Sequence, residues 1–182
     1  MMGIMPWSKE HKSETRARIV QAAADAFRES GIDGVGVAEI MKRADLTHGG
    51  FYAHFKSKDD LVKAAFEQMS REIADTVGAT EYLAERHMLH PERGCPLPTV
   101  ATELLRSGSK MRRSVAGEIR ARLARIAERL GKRRDKKIDA AGALACMVGG
   151  MVIARALPEN EGSAFLEHCR AFLRGAIGEE VL

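Results

Sequence analysis

The sequence is short of the residues that build disulfide frameworks, β-sheets and membrane spans. Its 182 residues include three cysteines, Cys95, Cys146 and Cys169, which are too few and too scattered for a disulfide framework and so indicate a reducing compartment. It has five prolines and few of the alternating patterns that mark strands. No apolar run reaches the roughly eighteen residues that a transmembrane helix needs, and the N-terminus lacks the apolar run of a secretion signal. We therefore expect an all-α, cytoplasmic protein with no membrane partner.

The sequence motifs of common enzyme sites are also absent. The chain has no phosphate-cradling loop, no dinucleotide fingerprint and no paired-carboxylate arrangement. Ser107 and Lys110 fit an S-x-x-K pattern, but the partner motifs of the enzymes that use it are missing. We expect a protein that is not an enzyme and has no cofactor.

Two short helical patterns flank a tight polar break, Asp45-Leu46-Thr47, and a longer helical pattern precedes them. The longer one begins with the capping candidates Ser13 and Thr15 and stops at Gly31. Apolar residues recur at helical spacing at Ile19, Ala23, Ala26 and Phe27 in this helix and at Val37, Ile40, Met41 and Ala44 in the next. Three helices in about fifty residues, with such a break, are typical of a helix-turn-helix DNA-binding unit.

The second helix of this unit has an unusual composition. Thr47 is a suitable N-cap, because its hydroxyl can accept from first-turn amides that then face a phosphate. The adjacent Gly49 and Gly50 each cost a helix roughly 1 kcal/mol relative to alanine, which suits a backbone that lies close to DNA. The alternative is a turn-rich loop between two core helices, with Tyr52 and Phe55 in ordinary packing. The residues alone leave both interpretations open.

Residues 13–66 resemble the N-terminal domain of TetR-family transcriptional repressors. The residues that carry the resemblance are Ile19, Ala22, Ala23, Phe27, Gly31, Val37, Ile40, Ala44, Thr47, Gly49, Tyr52, His54, Phe55, Ser57, Lys58 and Leu61. Two positions depart from the family pattern: Gly36 replaces the usual Ser or Thr cap, and Gly50 replaces a small side chain that often touches a base. Sequence preference is therefore expected to depend more on His48 and on DNA shape.

The resemblance implies a double-stranded DNA operator as the partner. It implies phosphate contacts by Tyr52, His54 and Lys58. It places Thr47, His48 and Gly49 nearest to the base edges. It further implies a homodimer formed through the last two helices, a palindromic operator, and release of the DNA by a small-molecule effector.

The rest of the chain reads as a second helical unit. We expect a DNA-binding domain over residues 1–60 and a ligand-binding and dimerisation domain over 61–182, joined by a long helix from Lys58 to about Val77. After an irregular segment, helices are predicted at Leu97–Arg106, Lys110–Leu130, Asp135–Ala156 and Ser163–Ile177. The residues expected near the effector are Tyr82, Leu83, Met88, Cys95, Leu104, Met111, Val115, Met147 and Met151.

Positive charge is concentrated between Arg106 and Lys137. This segment contains thirteen Lys and Arg residues and three acidic residues, so its net charge is +10, whereas the net charge of the whole chain is +4. One interpretation is a nucleic-acid arm, which would favour a ligand-independent architectural DNA-binding protein. The other interpretation is a helix whose basic side chains lie on a solvated face. The opposite face would be an apolar stripe that consists of Val115, Ile119, Leu123, Ile126 and Leu130.

Cys95 precedes Pro96 at a predicted helix cap. The helix dipole and the nearby Arg93 would stabilise a thiolate, so one hypothesis is a repressor that senses electrophiles or oxidants. The alternative is an inert, small apolar residue. His87, His90 and Cys95 also have a spacing that can hold a soft metal, but the sequence favours a lid segment with two solvated histidines, and we expect no metal site.

Overall fold

The computed structural model describes residues 9–73, 78–104, 106, 109–133 and 135–178. Within these residues the chain is helical and has no strand, which confirms the predicted all-α class. The α-helices are α1 (Lys9–Ser30), α2 (Val37–Arg43), α3 (Lys58–Glu72), α4 (Ala79–Tyr82), α5 (Glu85–Leu89), α6 (Leu97–Leu104), α7 (Ser109–Arg129), α8 (Lys136–Ala156) and α9 (Glu159–Ile177). Short 3-10 helices lie at His48–Ala53 and Pro91–Arg93.

Helix α1 supports the N-terminal unit. It begins at Lys9, so the predicted caps Ser13 and Thr15 are wrong, and Thr15 is instead buried on the inner face of the helix. The helix ends as predicted at Gly31, whose φ of 75° is the left-handed conformation that a side chain disfavours. The amide of Gly31 donates to the Phe27 carbonyl at 3.0 Å and closes the last turn. The inner faces of α1, α2 and α3 share one apolar core.

The turn between α2 and the first 3-10 helix lies at the predicted break. Asp45 has a φ of 56°, a conformation that aspartate tolerates better than most side chains. The Leu46 amide donates to the Met41 carbonyl at 2.9 Å, and Arg18 of α1 donates to the Ala44 carbonyl at 2.6 Å. Backbone bonds and a side chain from α1 therefore fix the turn together.

Several helix boundaries in the second part differ from the prediction. The segment expected to be irregular contains α4, α5 and the second 3-10 helix, and α9 starts at Glu159 instead of Ser163. Helices α8 and α9 approach closely at two glycines. A Cβ at Gly162 would lie 2.5 Å from the Ala154 carbonyl oxygen, and one at Gly150 would lie 3.1 Å from Cys169 Sγ. The absence of side chains at these positions thus permits the close packing.

Helix α8 is the one helix in the described part of the chain that is long and apolar enough to cross a membrane. This is weak support for a membrane span, because the core helix of a soluble protein passes the same test. Helix α8 packs against α6, α7 and α9, and its inner face includes Ala143, Met147 and Met151. Packing inside the helical core therefore explains the apolar composition of this inner face.

Candidate nucleic-acid interface and internal cavity

The first 3-10 helix presents one aromatic ring outward and anchors another inward. Tyr52 is 71% exposed, whereas Phe51 is buried. The Phe51 ring meets the Tyr52 ring edge-on with centroids 5.2 Å apart and stacks on Phe55 at 5.7 Å. Arg16 of α1 lies over the Phe55 ring at 4.7 Å. The phenylalanines hold the helix to the core, so the Tyr52 hydroxyl is left free to reach a partner.

Thr47, His48 and Gly49 lie beside Tyr52 and are exposed; we call these four residues the reader surface. Thr47 occupies the N-cap, as predicted, but its hydroxyl makes no capping bond, so that part of the prediction is wrong. The reason is the tight 3-10 turn, in which the Gly50 amide donates to the Thr47 carbonyl at 3.0 Å. The amides of His48 and Gly49 begin the helix, where no intrahelical carbonyl is available to them. A Cβ at Gly49 would meet nothing within 4 Å, so the surface is open there.

His54 is half-buried at the edge of a hollow of about 480 Å³ between α1 and the reader surface. Its Nδ1 is buried and has no hydrogen-bond partner among the described residues. Burial lowers the pKa of His54, and the nearby Lys12 and Arg16 lower it further. A neutral imidazole can still donate one hydrogen bond.

Lys58 is engaged within the protein. Its Nζ donates to the Ile32 carbonyl at 2.6 Å, in the turn that joins α1 to α2. The preceding Ser57 caps α3, because its hydroxyl accepts from the Asp60 amide at 3.2 Å. A phosphate contact by Lys58, which remains a prediction, would have to replace or share the bond to Ile32.

The second part of the chain contains a cavity of about 300 Å³, which we call the Arg122 cavity. Its lining comes from α3, α4, α5, the second 3-10 helix and α7. The lining residues are Ile73, Glu81, Tyr82, Arg86, His87, His90, Arg93, Gly94, Cys95 and Arg122. It lies where the sequence places the irregular segment, and it includes two of the residues predicted near the effector, Tyr82 and Cys95.

The other predicted effector residues have different positions. Leu83, Met88, Val115, Met147 and Met151 are buried in the helical core and do not line the Arg122 cavity. The side chains of Leu104 and Met111 lie outside the described part of the structure. Apolar residues at helical spacing fill the interior here, and polar residues from separate segments form the cavity wall.

His87 is held by a hydrogen bond at each ring nitrogen. Its Nδ1 donates to the Tyr82 carbonyl at 2.6 Å, and its Nε2 accepts from the Cys95 amide at 2.9 Å. A carbonyl can only accept and an amide can only donate, so these partners fix the neutral tautomer. Both nitrogens are thereby unavailable to a metal, and the described residues contain no cluster of metal ligands. A Cβ at Gly94 would lie 2.1 Å from His87 Nε2, so glycine permits this approach.

Arg122 is the residue of this site that the sequence interpretation missed. It was assigned to the solvated face of the basic helix, yet it is 9% exposed and lines the cavity. The apolar stripe opposite that face is confirmed, since Val115, Ile126 and Leu130 are buried. Arg122 lies seven residues after Val115 and four before Ile126, so helical spacing places it on the buried face. A charged residue in register with an apolar stripe was the available signal.

Cys95 contacts a different arginine from the one predicted. The Arg122 Nη1 donates to Cys95 Sγ at 3.1 Å, whereas the side chain of Arg93 is 83% exposed and pairs with Glu92. The thiol itself is buried. The prediction that Arg93 stabilises a thiolate is therefore wrong, because the 3-10 helix Pro91–Arg93 directs this side chain to solvent.

Helix α6 connects the cavity to the N-terminal unit. It begins two residues after Cys95, and its Glu103 carboxylate accepts from the Ile32 and Asp33 amides at 2.6 and 3.1 Å. The Thr99 hydroxyl donates to the Arg28 carbonyl at 3.0 Å. A displacement of α6 would therefore act directly on the C-terminal end of α1.

Some known proteins match only the N-terminal third of the chain, and others match most of it. Residues 19–65 match the family described as bacterial regulatory proteins, tetR family. The HTH-type transcriptional regulator TtgR of Pseudomonas putida is 39% identical over 62 residues, which are 34% of this chain and 30% of TtgR. This chain thus spans about a third of the length of that relative.

Two other matches extend over most of the chain. The HTH-type transcriptional repressor Rv3405c of Mycobacterium tuberculosis is 27% identical over 170 residues, which cover 87% of this chain and 81% of that protein. A crystal structure of a TetR transcriptional regulator from Chloroflexus aurantiacus has a TM-score of 0.72 at 27% identity, and the match covers 94% of this chain and 98% of that one.

We predict that acid destabilises the protein partly through His87. Burial lowers the pKa of His87 to about 4, with Arg155 and Arg122 adding to the effect, whereas the unperturbed value is 6.5. As the pH falls below 6.5, the unfolded chain binds a proton that the folded chain does not, so the free energy of unfolding decreases until about pH 4. At pH 5 the loss from this group is about 1–2 kcal/mol.

The matched variant is His87→Gln, which keeps a donor and an acceptor but does not titrate. The free energy of unfolding is measured in urea at pH 7 and pH 5, at one protein concentration. Between these two pH values it should fall by about 1–2 kcal/mol less in the variant than in the unaltered protein. Equal pH dependence in both proteins would mean that His87 is accessible to protons in the folded state.

Proposed function

The chain belongs to the TetR family of bacterial transcriptional regulators, and on that premise we propose that it is a homodimeric repressor of a palindromic DNA operator, released by a small-molecule effector. The named relatives are transcriptional regulators and not enzymes, in agreement with the expectation from the sequence. The observation that carries the proposal is the reader surface, where Tyr52 is exposed on a helix anchored by buried Phe51. A cytoplasmic location follows from operator binding.

The proposed docking places the reader surface of each protomer in the major groove. The free amides of His48 and Gly49 and the hydroxyl of Tyr52 suit phosphate oxygens, which accept from neutral donors. His48 is the exposed side chain best able to reach a base edge, because Gly49 and Gly50 offer none. Two such surfaces related by a two-fold axis would bind half-sites about one helical turn apart or slightly more.

The proposed dimer interface lies on the outer faces of α8 and α9. Both helices leave large apolar side chains exposed in the single chain, and small residues lie between them. The large ones are Ile138, Val152 and Ile153 on α8 and Phe172 on α9. Phe172 is 65% exposed, and a Cβ at Gly142, Gly149 or Gly175 would meet nothing within 4 Å. A second copy packed there would form a four-helix bundle, which supports the homodimer.

The DNA-binding domain is proposed to end near residue 60 and the effector and dimerisation domain to cover 61–182. Helix α3 crosses this boundary without a break, and Arg28 of α1 pairs with Glu72 near its end. An effector in the Arg122 cavity would shift α6, and with it Thr99 and Glu103, which hold the end of α1. The spacing of the two reader surfaces would change as a result.

The Arg122–Cys95 contact favours thiol sensing as a second candidate function. The Arg122 guanidinium donates a hydrogen bond to the sulfur at 3.1 Å, and a cationic neighbour of this kind is typical of reactive cysteines. Cys146 lies in a different environment, where burial and then the neighbouring Cys169 raise the pKa of its thiol to about 11. An alkylated Cys95 would lose the contact with Arg122 at the start of α6.

The first prediction from this proposal concerns DNA. Tyr52→Phe keeps the packing of the ring on its neighbour but removes the hydroxyl, so operator affinity should fall about tenfold. Lys58→Ala should weaken binding and lower the salt slope by about one, whereas Lys63→Ala, an exposed control on the same helix, should do neither. His48→Ala should change sequence preference.

The affinities of the four variants are measured by fluorescence anisotropy over a series of salt concentrations. Two labelled duplexes are compared, one selected from random DNA for binding and one with the same bases in scrambled order.

Three outcomes would contradict this docking in whole or in part. Unchanged affinity after replacement of Tyr52, His54 and Lys58 together would exclude the proposed phosphate contacts. Equal affinity for the selected and scrambled duplexes would favour the architectural, sequence-independent function instead. If Lys58→Ala lowers stability with no change of salt slope, Lys58 serves only the bond to Ile32.

The second prediction concerns the dimer. Phe172→Glu should weaken self-association roughly a hundredfold, because a charge would be buried without a partner at the centre of the interface. Ala124→Glu, on the exposed side of α7, is the matched control and should leave association unchanged. Sedimentation velocity over a concentration series measures the effect, and circular dichroism checks the helical content. A Phe172→Glu protein that stays as dimeric as the control places the interface elsewhere.

The third prediction separates the second candidate function from the first. With iodoacetamide near neutral pH, Cys95 should be alkylated faster than Cys146 or Cys169, and modification should release the operator. Peptide mapping by mass spectrometry and gel shift follow the two steps. If Cys95→Ser releases DNA on alkylation just as the unaltered protein does, Cys95 is structural and the effector binds without covalent chemistry.

A further inference from the structure

Arg122 is a buried cation that has no carboxylate partner among the described residues. It is 9% exposed, its Nη1 donates to Cys95 Sγ, and its guanidinium carbon lies 6.0 Å from the centroid of the Tyr82 ring. Arginine is rarely buried unless it is paired. The more deeply buried Arg28 follows this rule, because it forms ion pairs with Asp25 and Glu72. Arg122 therefore lacks an anion that its burial calls for.

The acidic side chains around the cavity are already engaged with other cations. Glu81 pairs with Arg86 at the rim, and Glu92 pairs with Arg93. Glu118, one helical turn before Arg122, lines a small adjoining pocket with it, but the described structure shows no ion pair between the two. The rim charges therefore balance one another and leave the charge of Arg122 uncompensated.

Two further groups behind the cavity do not supply the missing anion. Arg155 donates to the carbonyls of His87 and Met88 at 2.7 and 3.3 Å, so it adds positive potential on that side. His87 is neutral because of its burial and its two hydrogen bonds. The interior of the cavity is consequently net positive at neutral pH.

Tyr82 provides a second unsatisfied group in the same cavity. The residue is 1% exposed, and its hydroxyl makes no hydrogen bond of good geometry among the described residues, although the Cys95 thiol lies close to it. A buried hydroxyl without an acceptor is unfavourable and uncommon in folded proteins. Burial, followed by the nearby Cys95 thiol, raises the pKa of Tyr82, so the hydroxyl keeps its proton and can donate.

We propose that the Arg122 cavity binds a small organic anion, a carboxylate on a compact apolar body, with the carboxylate held by Arg122 and by the Tyr82 hydroxyl. One carboxylate can accept from both donors, and charge-assisted bonds of this kind are the strong ones. Ile73 and the Tyr82 ring form the apolar wall for the rest of the molecule. A volume of about 300 Å³ lies at the lower end of ligand pockets, so the anion is small. This inference rests on the proposed function, since it names the class of the effector.

The bound anion would act where the cavity meets α6. Arg122 Nη1 donates to Cys95 Sγ, and a bound carboxylate would draw this donor away from the sulfur. Cys95 and Pro96 lead directly into α6, whose Glu103 holds the end of α1. Binding at Arg122 thus has a short route to the C-terminal end of α1.

The test uses the full chain without DNA. Benzoate and hexanoate are the probes, and benzamide and hexanamide are their neutral controls of equal size.

Isothermal titration calorimetry should show that each carboxylate binds at least tenfold more tightly than its amide. Each carboxylate should also raise the thermal unfolding temperature of the protein. Arg122→Met should abolish the preference, Arg122→Lys should keep part of it, and Tyr82→Phe should reduce it several-fold. Arg125→Met, on the same helix, is the control and should keep it.

The ligand-free variants give an independent readout. Removing an uncompensated buried charge should leave the unfolding temperature of Arg122→Met equal to or above that of the unaltered chain. A lower temperature for Arg122→Met, together with no carboxylate preference in the unaltered chain, would make Arg122 structural and overturn the proposal. The proposal would also be overturned if the unaltered chain bound carboxylates and amides equally well, or bound neither of them.

Operator binding is measured separately in a gel shift with the selected duplex. Carboxylate binding by a chain that recognises no operator would count against the repressor function and leave the anion site standing. Operator binding with no response to any carboxylate in the calorimeter would count against the anion site alone.

Discussion

The position of the DNA-reading unit depends on the partners of one buried arginine. Arg28 of α1 is 2% exposed, and it donates to the Glu72 carboxylate at 2.5 Å and to the Glu92 carbonyl at 3.3 Å. These partners lie at the end of α3 and in the 3-10 helix below the Arg122 cavity. Burial alone would raise the pKa of Glu72, but the hydrogen bonds from Arg28 and Gln68 outweigh it and lower the value. Loss of Glu72 would leave the buried guanidinium with Asp25 and the Glu92 carbonyl, and would remove its bond to the end of α3, so the contact with Glu72 favours one arrangement of the two parts of the chain.

Within that arrangement, α6 is the contact that a ligand can change at moderate cost. Glu103 accepts two backbone hydrogen bonds, from Ile32 and Asp33, and each bond to a charged group contributes about 1.5–3 kcal/mol. Coupling between an effector and an operator site is typically about 1–3 kcal/mol. Weakening one of these bonds is therefore enough to account for such a coupling, and the contact of Arg28 with Glu72 need not break. This comparison favours a small movement of α6 over separation of the two parts.

The sequence predicts the helices, the turn and the apolar faces, because these follow from local periodicity and turn chemistry. The break at Asp45 and the helix end at Gly31 are of this kind, since each needs a residue that tolerates positive φ. The cavity could not be predicted in the same way. Its polar lining combines Tyr82, Cys95 and Arg122 from segments far apart in the chain, and their contacts exist only after α7 packs against α3. Apolar spacing therefore identified core residues instead of cavity residues.

Hydrogen bonds hold the backbone of the Arg122 cavity, whereas two of its side chains lack a full set of partners. His87 bridges the Tyr82 carbonyl and the Cys95 amide, so one neutral ring fixes the backbone on two sides of the cavity. The Tyr82 hydroxyl and the Arg122 charge are by contrast left without an acceptor and an anion in the described structure. A site already built in this way costs a ligand little ordering. More of the free energy of binding is then available to move α6, and this is the physical reason that a stable wall and unsatisfied donors occur in the same cavity.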